Sequence, residues 1–313
     1  MQIAYKDTII DVKSGTRVID LFNDEINKSK NEIVACRFNN EIKGLNYKLK
    51  SSGTIELIDI TEKDGMRVYQ RGLIYVVGKA FHDIYPETLI TINYQLYHSM
   101  YCQIDNLNLT QEMIDKVNKR IKEIIDSNLP IERKTMTKEE AKIFYEKEKN
   151  LKGILQLDLR QKEEVTLYYC EDYYNYLYGV MPISTGCIKK YELLKYNNGF
   201  LIRYPSRKNP YELAEFIDSP KLFETLDEYD ELHKILNINT LYKLNQKIKD
   251  KDILDYALMD EILHEKKIRN IAETILKNKK KKVVLIAGPS SSGKTTFAKR
   301  LELELRLNGL NTK

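Results

Sequence analysis

The residues with the most explicit chemistry lie in one stretch, 283–296, which reads Val-Val-Leu-Ile-Ala-Gly-Pro-Ser-Ser-Ser-Gly-Lys-Thr-Thr. Gly288, Gly293, Lys294 and Thr295 fill every fixed position of G-x-x-x-x-G-K-[ST], the pattern of a phosphate-binding loop. A pattern of that stringency arises by chance in roughly 1 % of chains this long. The glycines let successive backbone N–H groups turn inward onto phosphate oxygens, and a helix that follows offers its unpaired N–H groups and positive dipole end to the same anion. Lys294 adds a point charge for the β- and γ-phosphates, and the Thr295 hydroxyl is placed to join the coordination of Mg²⁺. Ser290, Ser291, Ser292 and Thr296 add hydroxyl donors around the same phosphates. The chemistry implied is the binding of ATP with Mg²⁺ and transfer of its γ-phosphoryl group, with Lys294 as the catalytic candidate.

Such a loop needs a strand before it and a helix after it. The apolar, β-branched run 283–287 predicts the strand, and Phe297, Leu301, Leu305 and Leu307 mark the buried face of the helix. Residues 281–313 therefore read as the truncated start of an α/β P-loop NTPase domain. The acid that holds Mg²⁺ and the base that orients the acceptor are expected beyond Lys313, so the sequence is expected to be the N-terminal portion of a longer enzyme and inactive alone. Ahead of the loop, Lys277, Lys279, Lys280, Lys281 and Lys282 read as a solvated linker. Residues 206–280 predict a helical connector, with short helices over 213–217, 222–237 and 240–249 and one or two longer ones over 253–276. In the last of these Leu254, Leu258, Ile262, Ile271 and Ile275 are expected inside. His264-Glu265 opens like a zinc-protease motif, but Ile268 stands where its second histidine is needed.

Composition narrows the classes. The 313 residues are 42 % hydrophobic and 31 % charged, which fits a globular chain of two or three domains and excludes disorder. A net charge of +5 is weaker than the footprint of a dedicated nucleic-acid binder. Cys36, Cys102, Cys170 and Cys187 are far apart and form no C-x-x-C, which argues against a disulfide framework or a zinc ribbon and fits a reduced cytoplasmic location. No apolar stretch approaches the length of a membrane span, so no membrane partner is expected.

Residues 1–62 predict a small α+β unit: strands over 2–5 and 8–12, a helix opened by Gly15-Thr16 with Val18, Leu21, Phe22 and Ile26 inside, then strands over 33–38 and 54–60 around an Asn39-Asn40 turn. This is the order of a β-grasp, ubiquitin-like module. With Gly15-Thr16 at the helix start and Val34-Ala35-Cys36-Arg37-Phe38-Asn39-Asn40 as central strand, it resembles the TGS domain of threonyl-tRNA synthetases. Residues 63–205 predict a second α+β domain: a helix over 68–85, strands over 88–93 and 97–104, a helix capped by Thr110 with Ile114, Val117, Ile121, Ile124 and Ile125 on one face, and a capping box at Thr137-Lys138-Glu139-Glu140. Here the element order, with Leu129-Pro130-Ile131 and Glu139-Glu140-Ala141, resembles the second domain of the same synthetases, shared with alanyl-type editing proteins.

That resemblance implies a metal held by H-x-x-x-H and C-x-x-x-H. Aligned on Tyr85-Pro86, the histidine positions fall on Arg71 and Tyr75; aligned on Gly179 and Ser184-Thr185-Gly186, the Cys and second His positions fall on Leu177 and Met181. None of these four suits zinc, so neither zinc nor editing is expected. The cluster Tyr168, Tyr169, Tyr173, Tyr174, Tyr176 and Tyr178 reads as sheet and interface packing. Leu263-His264-Glu265-Lys266-Lys267-Ile268, the basic run and the loop together resemble bacterial proteins that join TGS and synthetase-like domains to a uridine kinase-like domain.

Two functions remain open. The main expectation is a nucleoside kinase that moves the γ-phosphoryl of ATP to a nucleoside 5'-hydroxyl. The alternative is a regulatory module whose synthetase-like region recognises RNA or a nucleotide, without editing activity. A homo-oligomer is compatible with either. In the full-length protein, Lys294→Ala is expected to cut phosphoryl transfer by orders of magnitude while moving stability by less than about 0.5 kcal/mol, since an exposed loop lysine contributes little to folding. Near-normal turnover of that variant in a coupled ADP-release assay would remove the role given to Lys294.

Overall fold

Two-residue turns with positive φ at Lys6 (51°) and at Asn39 and Asn40 (47° and 65°) fold the first apolar runs back on themselves. β1 (Gln2–Tyr5) pairs antiparallel with β2 (Thr8–Asp11). Between β2 and the next strand the expected helix is broken into α1 (Val18–Leu21) and α2 (Asn23–Lys28). The break falls at Phe22, whose backbone leaves helical geometry (φ −114°) while its ring is fully buried with Val18, Ile3, Leu49 and Ile55. β3 (Ile33–Phe38) and β4 (Glu41–Lys43) form a second hairpin, and β5 (Gly53–Asp59) lies between the two, parallel to β1 and antiparallel to β3. The sheet order is β2-β1-β5-β3-β4.

The computed structural model describes residues 1–86, 88–104, 107–147, 151–278 and 282–312. Lys279, Lys280 and Lys281 of the basic run lie outside them.

α3 (Lys63–Ile84) begins earlier than the expected 68, because Asp64 suits a first helical turn and Met66 has a core to enter. Its buried side chains face more than one neighbour. After it come β6 (Ile90–Leu96), β7 (Ser99–Ile104), α4 (Gln111–Asp126), β8 (Glu132–Thr137), α5 (Lys138–Lys147), α6 (Leu151–Asp158), β9 (Glu164–Cys170), β10 (Tyr173–Asn175), β11 (Glu192–Tyr196) and β12 (Gly199–Arg203). Four of these strands form an antiparallel sheet in the order β11-β12-β7-β6, and three form another in the order β10-β9-β8. One continuous core joins Val34, Ala35 and Ile58 of the first sheet, Leu73, Val76 and Phe81 of α3, Met100, Cys102, Phe200 and Ile202 of the four-stranded sheet, and Ile114, Val117 and Ile121 of α4. The expected caps are present: Thr110 Oγ1 accepts from Met113 N at 3.3 Å, and Thr137 and Glu140 exchange both capping-box bonds, at 2.9 and 3.2 Å.

No helix forms over 213–217. Arg203 donates to the Ala214 carbonyl and the Phe216 ring meets Tyr196 edge-on at 5.8 Å, so side-chain burial holds this stretch extended against its helical pattern. The chain divides into two compact units, 1–230 and 231–313, at a point within α7 (Pro220–Ile235). In the second unit, α8 (Leu241–Lys249) and α9 (Ile253–Lys277) precede α10 (Lys294–Leu307). Of the stripe expected inside α9 only Ile275 is partly buried, beside Ile268 and Ala272, which are buried against Leu301 and Leu305 of α10; Leu254, Leu258, Ile262 and Ile271 are exposed. α9 is apolar on several faces, and the one that α10 covers is the one that is buried. No described helix is long and apolar enough to cross a membrane.

The Tyr69 hydroxyl fastens α3 to the segment before β11, donating to Lys190 O at 2.6 Å and accepting from Lys190 N at 2.8 Å. Its burial pushes the phenol up to about 12, so it stays neutral and able to do both. Tyr69→Phe removes both bonds and is expected to cost about 2 kcal/mol in urea unfolding. An unchanged midpoint would show that water replaces the hydroxyl there.

Candidate functional site

α3 carries the first half of the site. Arg71 and Tyr75 are one turn apart and so share a helix face. The loop after β10 carries the second half, Leu177 and Met181. The structure brings all four together. Tyr75, Leu177 and Met181 pack in one cluster with Ile131, Tyr168, Cys170 and Tyr173, and Arg71 Nε donates to the carbonyl of Val180, next to Met181, at 2.8 Å.

Tyr75 is fully buried, and its hydroxyl donates to Tyr173 O at 2.8 Å, with Tyr168 O at 3.3 Å. Desolvation drives its pKa far above the ordinary tyrosine value, so it presents no phenolate to a cation. Leu177 and Met181 fill the remaining space with hydrocarbon and a thioether. A zinc ion needs deprotonated sulfur, imidazole or carboxylate donors, and this set supplies none of them. Among the described residues no group of three or more His, Cys, Asp or Glu side chains could hold a metal. The adjacent thiol of Cys170 is pushed up to about 11, chiefly by burial, which makes it a poor nucleophile.

One turn beyond Tyr75, Lys79 is 1 % exposed and its ammonium reaches Glu171 at 3.1 Å and Asp83 and Asp172 at 3.3 Å. Burial acts to lower its pKa, but these carboxylates outweigh burial and hold it above the ordinary value. Tyr75 and Lys79 together clamp the β9–β10 hairpin to α3. Beside the clamp lies a cavity of about 250 Å³ lined by Gly78, His82, Tyr145, Gln156, Tyr173, Tyr174 and Asn175, among others. Its walls are aromatic and amide-bearing, suited to a flat polar ring.

Sequence reasoning missed Arg133, Lys79 and the role of Tyr168. Arg133 lies on β8, a strand with no apolar alternation to reveal it: its residues are exposed except Met136. In the sheet register Arg133 sits directly opposite Tyr168, so the two share a face. Of the tyrosine cluster, Tyr169 and Tyr174 stack at 5.5 Å, while Tyr178 is 85 % exposed.

In the second unit the loop takes the form its residues require. Gly293 has φ +77° and caps α10, and a side chain at Gly288 would come within 2.9 Å of Ser292 Oγ. Lys294 Nζ donates to Pro289 O at 2.5 Å, folding back over the loop. The amides of Lys294, Thr295 and Thr296 open the helix with no protein acceptor among the described residues, and no acidic side chain lies in that turn. Ser290 and Ser291 form the turn, with Ser291 at φ 61°. The surrounding concavity, about 490 Å³, is lined by His264, Ile286, Ala287, Ser292, Gly293, Lys294, Thr296 and Phe297. These groups could hold a phosphate chain. The expected strand over 283–287 is not paired with any described strand, and Val283 and Leu285 are exposed. A strand is defined by its hydrogen-bonded neighbour, and none of the described residues provides one.

The architecture is thus α+β and multidomain, with one mixed and two antiparallel sheets among the described residues of the first unit. The chain matches no protein-family profile. It is 27 % identical over 197 residues to the threonine–tRNA ligase of Clostridium tetani, which is 62 % of this chain and 31 % of that protein. It is 28 % identical over 167 residues to threonine–tRNA ligase 1 of Bacillus subtilis, 53 % of this chain and 26 % of that protein. The match to the threonine–tRNA ligase of Syntrophomonas wolfei is 25 % over 217 residues, 69 % and 34 % of the two chains. The chain spans about a third or less of the length of these relatives. It contains a threonyl-tRNA synthetase-like region.

After incubation with excess zinc and desalting, the protein is expected to retain far less than one zinc per chain by plasma emission spectrometry. Stoichiometric zinc would show that the site rearranges to expose donors that the packed cluster does not offer.

Proposed function

We propose that this chain is an RNA-binding module built on a threonyl-tRNA synthetase-like region that has kept its fold and lost its hydrolytic chemistry. The observation that carries this reading is the convergence of Arg71, Tyr75, Leu177 and Met181 around Tyr168: the positions meet as a metal site's would, with side chains that bind no metal. Similarity to enzymes named for tRNA supports RNA as the partner. The order β2-β1-β5-β3-β4, with β1 and β5 parallel, supports a TGS-like β-grasp module in residues 1–62. The editing-like domain then covers 63–205.

A second reading is favoured by one observation, the phosphate cradle formed by Gly288, Gly293, Lys294 and the free amides of α10. In it ATP binds the loop and its γ-phosphoryl passes to a nucleoside hydroxyl, as in uridine kinase-like enzymes. Lys294 holds the β- and γ-phosphates and Thr295 joins the coordination of Mg²⁺, which neutralises charge on the phosphates. Among the described residues the concavity is lined by no carboxylate, so a general base must come from elsewhere.

The RNA reading is tested by fluorescence anisotropy with labelled tRNA at several salt concentrations. Expected are saturable binding, an affinity that falls with salt, and release of serine from misacylated seryl-tRNA no faster than in buffer. Absence of saturable binding at low salt would contradict the reading, and so would accelerated deacylation.

A further inference from the structure

We propose that the edge of the place where the synthetase resemblance puts a metal is here an anion site, in which Arg71 and Arg133, the two arginines beside Tyr168, hold a phosphate group. The inference deepens the RNA-binding reading and rests on it for the source of the phosphate.

Both arginines neighbour one side chain, Tyr168. Tyr168 Oη donates to Gly179 O at 2.6 Å, and Arg71 Nε donates to the next carbonyl, Val180 O, at 2.8 Å. The guanidinium is held against the Gly179 backbone, which has φ +105° and where a side chain would come within 3.1 Å of Arg71 Cζ. Gly179 therefore serves two ends at once, the backbone angle and the room for the cation. Arg133 stands opposite Tyr168 on β8, on the face that Tyr168 turns toward α3. Both cations favour the Tyr168 phenolate and so oppose the upward push of its burial.

Neither cation is neutralised. Among the described residues no carboxylate forms an ion pair with Arg71 or Arg133, although most other arginines of the first unit have one: Arg17, Arg37, Arg67, Arg120 and Arg203. Asp64, the acid that acts on Arg71 through space, is engaged with Arg67 at 3.3 Å and Arg37 at 3.8 Å. Arg71 is partly buried, and burial depresses its pKa, the signature of a cation that gains from an anionic partner. Its Nε is committed to Val180, which leaves both terminal nitrogens to donate. Arg133 spends one nitrogen on Thr166 Oγ1 at 3.4 Å and is otherwise free to donate. Two planar forks with unspent donors match the tetrahedral, multi-oxygen shape of a phosphate better than a carboxylate, which one fork already satisfies.

The test uses the 313-residue chain carrying Lys294→Ala throughout, so that the loop of the second unit does not compete for phosphate. Binding of labelled tRNA and of ADP is measured in that background and again with Arg133→Gln, Arg71→Gln or Arg71→Lys added. Arg133→Gln, at an exposed position, is expected to fold normally. The site predicts about tenfold weaker binding for each Gln variant and a salt dependence reduced by close to one phosphate contact per arginine, with Arg71→Lys restoring charge without the fork and only part of the affinity. Loss seen with tRNA identifies RNA as the source. Loss seen with ADP while tRNA fails to bind keeps the anion site and removes the RNA reading. Binding of either ligand that both Gln variants leave unchanged, with circular dichroism showing them folded, overturns the anion site and leaves RNA recognition to another surface.

Discussion

A buried tyrosine hydroxyl must find an acceptor, and the first unit is arranged around the one that Tyr75 finds. From the middle of α3 its hydroxyl reaches the Tyr173 carbonyl, with the Tyr168 carbonyl just beyond, and so ties the β9–β10 hairpin to the helix that also backs the four-stranded sheet and the N-terminal sheet. One turn on, the Lys79 ammonium repeats the attachment through Glu171 and Asp172. One turn back, Arg71 holds the 179–180 backbone. Three side chains at successive turns of one helix face therefore fix three parts of the same wall. The wall is held through hydrogen bonds, ion pairs and hydrocarbon.

The second unit follows a different logic. Its glycine-framed loop is complete in local terms, since Gly293, Lys294 and the helix behind them need only their own backbone to present N–H groups. α10 is secured by Leu301 and Leu305 against Ile268 and Ala272. The apolar run before the loop has no such cover, and Val283, Val284 and Leu285 present it to solvent. Phosphate binding can be built locally, whereas a strand needs neighbours.

Local signals were legible in the sequence because their physics is local. The strand Ile33–Phe38, the Asn39-Asn40 turn, the Thr110 cap, the Thr137 capping box and the glycine-framed loop all stand where residue type and spacing placed them. The failures are tertiary. Phe22 broke a helix to enter the first core, Phe216 kept 213–217 extended to reach Tyr196, and α10 chose a different face of α9 from the one its leucines suggested. Within the site, Arg71, Tyr75, Leu177 and Met181 could be singled out from the resemblance, but their closure around Tyr168 could not. Arg133 was invisible because β8 is polar on nearly every residue and shows no alternation; only its pairing with β9 sets it opposite Tyr168.

Hydrogen–deuterium exchange of the whole chain, with and without saturating tRNA, tests the central claim most directly. A retained pocket that receives RNA predicts slowed exchange in the amides of 168–181 and in the first turns of α3, with α9 and α10 unchanged. Unchanged exchange over 168–181 in the presence of bound tRNA would contradict it, and would place RNA recognition outside the synthetase-like pocket.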